Sequence, residues 1–114
     1  MLMTMKLAQR PFLAVKEGRK TVEMRLYDEK RKKLSVGDFV EFVNLDYPEQ
    51  TVKTVVKGIR TFSNFAELYT NYTKSQMGYL PNEIANPKDM EKYFSAEKQK
   101  KYGMVVAIEI ELAK

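Results

Sequence analysis

The alternation of apolar and polar positions along the chain predicts five β-strands. Successive side chains of a strand point to opposite faces of a sheet, so a period of two residues indicates a strand with one buried face. This period predicts strands over Lys6–Gln9, Thr21–Leu26, Phe39–Asn44, Thr51–Phe62 and Met104–Leu112. We expect the first few residues, before Lys6, to be loosely held.

The last predicted strand has the most regular alternation, and it sets the expected core. Its inward positions are Val106, Ile108, Ile110 and Leu112, and its outward positions are Val105, Ala107, Glu109 and Glu111. In Thr21–Leu26 one face carries Val22, Met24 and Leu26, and the other carries Thr21, Glu23 and Arg25. We therefore expect the following residues to be buried in one barrel: Val22, Met24, Val106, Ile108 and Ile110.

Short helices are predicted between the strands by their capping residues. Pro11–Glu17 begins with proline, which is tolerated in a first helical turn, and Gly18 ends it. Asn64 and Glu67 have the spacing of a capping box and predict a helix that continues to about Tyr72.

Two further helical segments are predicted near the end of the chain, with Asn86 and Ser95 as N-caps and Gly103 as the final stop. In Thr51–Phe62 the alternation breaks at Val55-Val56 and at Gly58, which predicts a bulge or a sharp bend.

The order of these elements favours a small, mainly β (α+β) fold. Strands and helices do not alternate regularly, which argues against a parallel βαβ sheet. A mostly antiparallel barrel with short helices across it fits the order best, because closure protects strand edges. A length of 114 residues is typical of one domain, so we expect a single domain over residues 1–114.

Composition restricts the possible chemistry. The chain has no cysteine, histidine or tryptophan, which excludes disulfides, thiolate chemistry and a Ser-His-Asp triad. We expect no metal and no cofactor, so any chemistry would come from Lys, Arg, carboxylate, Tyr or hydroxyl side chains. No apolar run approaches the 18 or so residues of a membrane span, so no membrane partner is expected. The lack of cysteine fits a reducing, cytoplasmic location.

The net charge of +5 is unevenly distributed along the chain. Residues 1–38 hold ten basic and five acidic side chains, and the remaining residues are balanced. Such an asymmetry favours a phosphate-bearing partner, although a solvated basic surface explains it equally well.

The segment Gly18–Arg25 places several functional groups close together. Lys20 follows the turn at Gly18, and Glu23 and Arg25 share one strand face with Thr21. These residues are either a solvated charge pair or a Lys, a hydroxyl, a carboxylate and a guanidinium that converge at the mouth of a cleft.

This segment resembles the signature of the ASCH domain family, G-x-K-x-x-E-x-R, within the PUA-like barrel superfamily. Gly18, Lys20, Glu23 and Arg25 fill its four fixed positions. Neighbouring motifs that match are Pro11-Phe12, Leu26–Arg31, Gly37-Asp38, and Tyr93-Phe94-Ser95 through Gly103. The resemblance covers nearly the whole chain and implies a barrel of five to six mostly antiparallel strands, with a cleft beside the helix-to-strand junction.

The resemblance also implies an RNA-related role, with RNA or a nucleotide as the partner. Lys20 and Arg25 would bind phosphate or a base edge, and Glu23 would accept a hydrogen bond from a base amine. A basic surface for the RNA backbone would comprise Lys30, Arg31, Lys32 and Lys33. Tyr27 and Tyr79 are candidates for base stacking, with simple packing as the other interpretation.

Two branches of the family suggest enzymes instead of a binding module. One resembles amidohydrolases of N4-acetylcytidine, but that branch has Thr where this chain has Glu23. Its further catalytic Glu would correspond to Glu67 or Glu83. A second branch resembles small ribonucleases, in which Lys20 and Glu23 would act as an acid–base pair. A protein-binding or structural domain is a third interpretation.

Overall fold

The structure, a computed structural model that describes residues 1–114, contains five strands in one curled sheet. The strands are β1 (Leu2–Leu7), β2 (Val22–Leu26), β3 (Phe39–Asn44), β4 (Thr51–Phe62) and β5 (Val105–Leu112). Their order in the sheet is β1-β3-β4-β5-β2. β1 and β3 are parallel, and the other neighbours are antiparallel. This curled half-barrel with short helices confirms the predicted fold class.

Three α-helices and two 3₁₀ segments lie between the strands. The α-helices are α1 (Gln9–Lys16), α2 (Phe65–Tyr69) and α3 (Ala96–Tyr102). The 3₁₀ segments are Arg31–Lys33 and Pro87–Lys92, the latter capped by Asn86. The Asn64 side chain accepts a hydrogen bond of 2.8 Å from the backbone N–H of Glu67, which confirms that cap, but α2 ends at Tyr69 rather than near Tyr72.

The prediction for the first strand is wrong. β1 occupies Leu2–Leu7, whereas Gln9 already belongs to α1. Its inward residues Met3, Met5 and Leu7 are buried because the strand pairs in parallel with β3 along its whole length. The start of the chain is therefore part of the core rather than a loose end.

Apolar side chains cover both faces of β5, which corrects the expected orientation of its outward residues. Val106, Ile108 and Ile110 pack into a core cluster with β1, β3 and α1. Val105 and Ala107 are also buried, because α2 and the segments around Met77 and Met90 form a second cluster on the opposite face. The expectation that Val105 and Ala107 face outward is therefore wrong.

The other burial predictions for β5 and β2 are partly confirmed. All five residues predicted to be buried are buried, but Val22 and Met24 belong to the second cluster. Leu112, expected inward, is 37% exposed, since β5 extends beyond β2, whose pairing with it ends at Glu109. Because β2 directs its apolar residues to the second cluster, Glu23 and Arg25 lie on the face of Ile108 and Val106, their register partners.

The predicted irregularity in β4 is confirmed as a register shift between Val56 and Gly58. Gly58 lies opposite Glu109, and a Cβ atom at this position would come within 2.5 Å of the Glu109 carboxylate. The hydroxyl of Tyr72 donates a hydrogen bond of 2.6 Å to the same carboxylate. A side chain at position 58 would therefore have to displace the Glu109 carboxylate from its place beside Tyr72. None of the helices has the length and apolar character needed to cross a bilayer.

The burial pattern of β1 predicts that substitutions at two positions of this strand have very different effects on stability. Met5 is 2% exposed and Leu2 is 53% exposed. Met5→Ala should lower the free energy of unfolding by about 2–5 kcal/mol, because it leaves a cavity in the core. Leu2→Ala, the matched control in the same strand, should change it by less than about 0.5 kcal/mol. Urea denaturation measures both, and equal small effects would contradict the assignment of β1.

Candidate functional site

The turn between α1 and β2 positions the residues of the predicted motif. Gly18 has a left-handed backbone with φ of 78°, and the backbone N–H groups of Arg19 and Lys20 both donate to Ala14 O. The next N–H groups, of Thr21 and Val22, donate to Gln76 O. The start of β2 is therefore fixed on one side by α1 and on the other by the segment around residue 76.

Three charged side chains of this segment form a buried ion cluster, which consists of Lys20, Glu23 and Arg25. Lys20 Nζ lies 3.1 Å from Glu23 Oε1, and Arg25 Nε lies 2.8 Å from Glu23 Oε2. Lys20 and Glu23 are only 7% and 2% exposed. Glu23 Oε1 also accepts a hydrogen bond from the Met24 backbone N–H. The predicted convergence of these side chains is present in the structure.

The ion cluster keeps Glu23 ionised. Burial alone would raise the pKa of its carboxyl group, but the positive charges of Lys20 and Arg25 outweigh burial and lower the pKa to about 2. Both carboxylate oxygens are engaged, one by Lys20 and one by Arg25.

Arg25 also joins the two edge strands of the curled sheet. Its Nη2 donates a hydrogen bond of 2.9 Å to Lys6 O in β1. Lys30 Nζ makes a second link of this kind, 3.1 Å from Thr4 O. β1 and β2 share no backbone pairing, so these side chains close the seam between them.

A cleft of about 720 Å³ lies beside the ion cluster, between α1, the start of β2 and residues 77–94. This volume is typical of small-molecule sites. Its basic lining residues besides the cluster are Lys6, Arg10, Arg19 and Lys92. Its aromatic lining residues are Tyr69, Tyr79, Tyr93 and Phe94. Gly78, whose φ is 99°, packs directly on the Lys20 side chain, where a Cβ atom would lie 3.0 Å from Lys20 Cδ.

An exposed ion pair crosses the cleft between α1 and residues 77–94. Arg10 Nη2 lies 3.0 Å from Glu83 Oε2, and the other oxygen of Glu83 accepts a hydrogen bond of 2.7 Å from the Leu80 backbone N–H. The hydrogen bond from Leu80 and the one from Arg10 lower the pKa of Glu83. Glu83 is therefore an anion already held beside Arg10 in the cleft.

Two tyrosines and an aspartate form a hydrogen-bonded wall of the cleft. Tyr79 donates a hydrogen bond of 2.8 Å to Asp89 Oδ2, and its hydroxyl oxygen lies 2.9 Å from that of Tyr69. Burial, together with these two partners, raises the pKa of Tyr79 far above its ordinary value. Tyr79 therefore stays a neutral donor to Asp89, and Tyr69 donates to Tyr79.

The structure brings only part of the predicted site together. Lys20, Glu23, Arg25 and Tyr79 line the cleft. Thr21 lies instead beside a smaller cavity of about 290 Å³. Tyr27 packs against the first core cluster, with Lys32 Nζ 5.7 Å from its ring centroid. Tyr27, one of the two tyrosines considered for base stacking, therefore does not line the cleft.

The predicted basic surface at residues 30–33 is largely engaged within the protein. Arg31 Nη1 lies 3.2 Å from Asp28 Oδ2, and Lys32 Nζ lies 3.2 Å from Glu29 Oε1. None of Lys30, Arg31 and Lys32 lines the cleft. Arg31 and Lys32 have local partners because the short 3₁₀ turn returns them toward the acidic residues that precede it, whereas Lys30 donates to Thr4 O.

The two carboxylates considered for a downstream catalytic role lie in different places. Glu83 lines the cleft, whereas Glu67 is exposed in the first turn of α2. No group of three or more acidic side chains is placed to hold a metal ion.

Sequence reasoning missed several cleft residues, above all Arg10, Arg19, Tyr69 and Tyr93. Tyr93, which belongs to the matching motif Tyr93-Phe94-Ser95, is 58% exposed and lines the cleft. Residues 77–94 have no clear period, so tertiary packing alone places them. The sequence signal for this part of the cleft is the pairing of a basic and an aromatic residue at Lys92-Tyr93.

Comparison with known proteins places this architecture in one family. The model of the ASCH domain family matches residues 5–114. No curated protein matches the chain.

Solved structures agree with the family match. The crystal structure of hypothetical protein PH0355 is 34% identical, covers 99% of this chain and 100% of its own, and has a TM-score of 0.78. The solution structure of protein PF0455 from Pyrococcus furiosus is 33% identical, covers 100% and 99%, and has a TM-score of 0.68. ASCH from Zymomonas mobilis is 14% identical, covers 96% of this chain and 66% of its own, and shares the fold with a TM-score of 0.67.

The low pKa of Glu23 predicts a specific loss of stability in acid. A carboxyl group whose pKa falls on folding, here from 4.5 to about 2, stabilises the protein above pH 4.5. This contribution, about 3 kcal/mol, is lost as the pH falls from about 5 to 2. The unfolding free energy of Glu23→Gln should therefore fall less steeply over this window than that of the unchanged protein.

Glu49→Gln is the matched control, since Glu49 is exposed and makes no ion pair. It should keep the steep decline. If Glu23→Gln does not fold, carbon-detected NMR titration of the Glu23 carboxyl in the unchanged protein gives the same answer. A midpoint near 4.5 would contradict the ion cluster.

Proposed function

This chain belongs to the ASCH domain family, and we propose that its cleft binds one nucleotide of single-stranded RNA at the ion cluster. The family is PUA-like and generally linked to RNA binding. The observation that carries the proposal is a buried ion cluster with unused N–H donors beside an aromatic wall.

The ion cluster offers donors that the protein itself does not use. The Lys20 ammonium group can donate three hydrogen bonds, and Glu23 accepts one of them. Arg25 uses Nε toward Glu23 and Nη2 toward Lys6, which leaves Nη1 without a protein partner. Donors fixed by a buried carboxylate are preorganised for a base carbonyl or a phosphate oxygen, because binding orders no further side chain.

The aromatic wall supplies a surface for a base. Tyr93 is more than half exposed at the cleft, and Tyr79 is fixed by its bonds to Tyr69 and Asp89. Stacking of bases on tyrosine is a common mode of binding to unpaired RNA and tolerates different bases. Of the two tyrosines expected to stack, Tyr79 is supported by its position at the cleft.

The rim supplies charge for the phosphate. Arg10 is exposed and held only by Glu83, so a phosphate can replace that carboxylate as its partner. Lys6 and Lys92 add positive charge along the same rim. The first third of the chain thus contributes to phosphate binding through Arg10 and Lys6, and the run Lys30–Lys33 lies outside this cleft.

The enzyme alternatives receive less support from the same contacts. A general base works best with a pKa near the operating pH, whereas the pKa of Glu23 is about 2. Its two oxygens are already bonded to Lys20, Met24 and Arg25. We therefore propose that Glu23 positions Lys20 and Arg25 rather than taking a proton itself.

The test compares three single substitutions in binding of a short single-stranded RNA, followed by fluorescence anisotropy. Arg10→Ala should weaken binding about threefold to tenfold, since it removes a phosphate partner. Glu83→Gln should tighten binding, because Arg10 loses its internal competitor. Lys57→Ala removes the same charge as Arg10→Ala from an exposed position outside the cleft and should change the affinity little.

Two results would overturn the proposal. Equal losses for Arg10→Ala and Lys57→Ala would show that only overall charge matters. Loss of the acetyl group from N4-acetylcytidine, followed by ultraviolet absorbance and abolished by Glu23→Gln in a folded protein, would favour the amidohydrolase instead.

A further inference from the structure

We propose that a single-stranded RNA bound in the cleft continues from Tyr93 across the surface of α3, which would make the ligand a polynucleotide rather than a free mononucleotide. This inference rests on the proposed function of the cleft and extends it to a second contact surface.

α3 contributes nothing to the core. It is the one α-helix with no buried residue, although its ends are fixed by the Ser95 cap and by Gly103 in a left-handed conformation. Gln99 holds it in place through a hydrogen bond of 2.8 Å to Phe94 O. A seven-residue helix is marginal by itself, and one that is polar all round has no role in packing. Its ordered surface is therefore available to a partner.

The lysines on this part of the chain form no ion pairs within the protein. They are Lys88, Lys92, Lys98, Lys100 and Lys101. Arg31 and Lys32, in the segment that the sequence favoured, are both paired. A lysine without an ion pair gives up no internal salt bridge when it binds a phosphate, so α3 is a better match for an RNA backbone than the paired Arg31 and Lys32.

Exposed aromatic side chains accompany these lysines. Tyr93 is 58% exposed and Tyr102 is 43% exposed, and Lys101 Nζ lies 5.8 Å from the Tyr102 ring centroid. Aromatic rings interleaved with basic side chains are the combination that binds single strands, because bases stack while phosphates pair with the charges. An acidic protein would use the charges but gains nothing specific from the rings.

The cleft and α3 are adjacent along the chain. Lys92 and Tyr93 line the cleft, and the helix begins after the Ser95 cap. At 1.5 Å per residue, α3 extends about 10 Å, which makes it a short extension for a few nucleotides.

The experiment measures affinity for a nucleoside monophosphate and for oligouridylates of one to eight nucleotides, in the full chain. The unchanged protein should bind more tightly as the strand lengthens. The variant Lys98→Ala/Lys100→Ala/Lys101→Ala should lose this gain, and its log–log salt slope for the octamer should fall by up to about 2. Its affinity for the monophosphate should stay the same. Tyr102→Ala should weaken octamer binding at least about fivefold, and Tyr102→Phe should restore it.

Lys16→Ala/Lys53→Ala/Lys57→Ala is the control, since it removes the same charge from exposed lysines away from the cleft. An equal loss of octamer affinity in this control, or an affinity that does not depend on strand length, would overturn the inference. Binding of the monophosphate would in that case still support the proposed function of the cleft.

A larger loss of octamer affinity in Lys30→Ala/Lys32→Ala/Lys33→Ala would contradict the inference and show that the RNA strand binds at residues 30–33. Competition by polyglutamate as strong as by oligouridylate would assign α3 to an acidic protein. Failure of every RNA ligand to bind would overturn the proposed function itself.

Discussion

The buried carboxylate of Glu23 is the constraint on which the fold and the candidate site both depend. A buried ion is costly unless opposite charges and hydrogen bonds compensate it, and Lys20, Arg25 and the Met24 backbone N–H supply that compensation. Removal of any partner would leave an uncompensated charge inside the protein. The three side chains therefore have one arrangement, and that arrangement is rigid.

This rigidity has consequences on two sides of the cluster. On one side Arg25 reaches Lys6 O and joins β1 to β2, two edge strands without mutual backbone pairing. On the other side Lys20 lies under Gly78 and lines the cleft. One set of charges thus joins the edges of the curled sheet and lines the cleft with cationic donors. Such donors gain strength from their burial, because few water molecules screen them.

The sequence predicted most of the sheet because alternation reports which face of a strand is buried. It placed β2, β3, β4 and the Asn64 cap correctly, yet it treated Val105 and Ala107 as outward. A period of two cannot distinguish a face that is open to water from one covered by distant residues such as Met77 and Met90.

The same limit applies to the prediction of the candidate site. The motif indicated Lys20, Glu23 and Arg25, but Arg10 and Tyr93 come from elements that only tertiary packing brings to the cleft. The distribution of charge along the chain predicted the RNA-binding surface just as incompletely, because it does not show which basic side chains already form ion pairs within the protein.

The central claim is that the ion cluster is both a structural closure and the floor of a ligand site. NMR of the Arg25 Nε–Hε group and the Lys20 ammonium, during titration with a short single-stranded RNA at neutral pH, tests it most directly. The account predicts saturable shifts of both groups with the same dissociation constant as the backbone amides of Gly78 and Tyr79. Shifts confined to residues 28–33, with Arg25 and Lys20 unchanged at saturation, would contradict it.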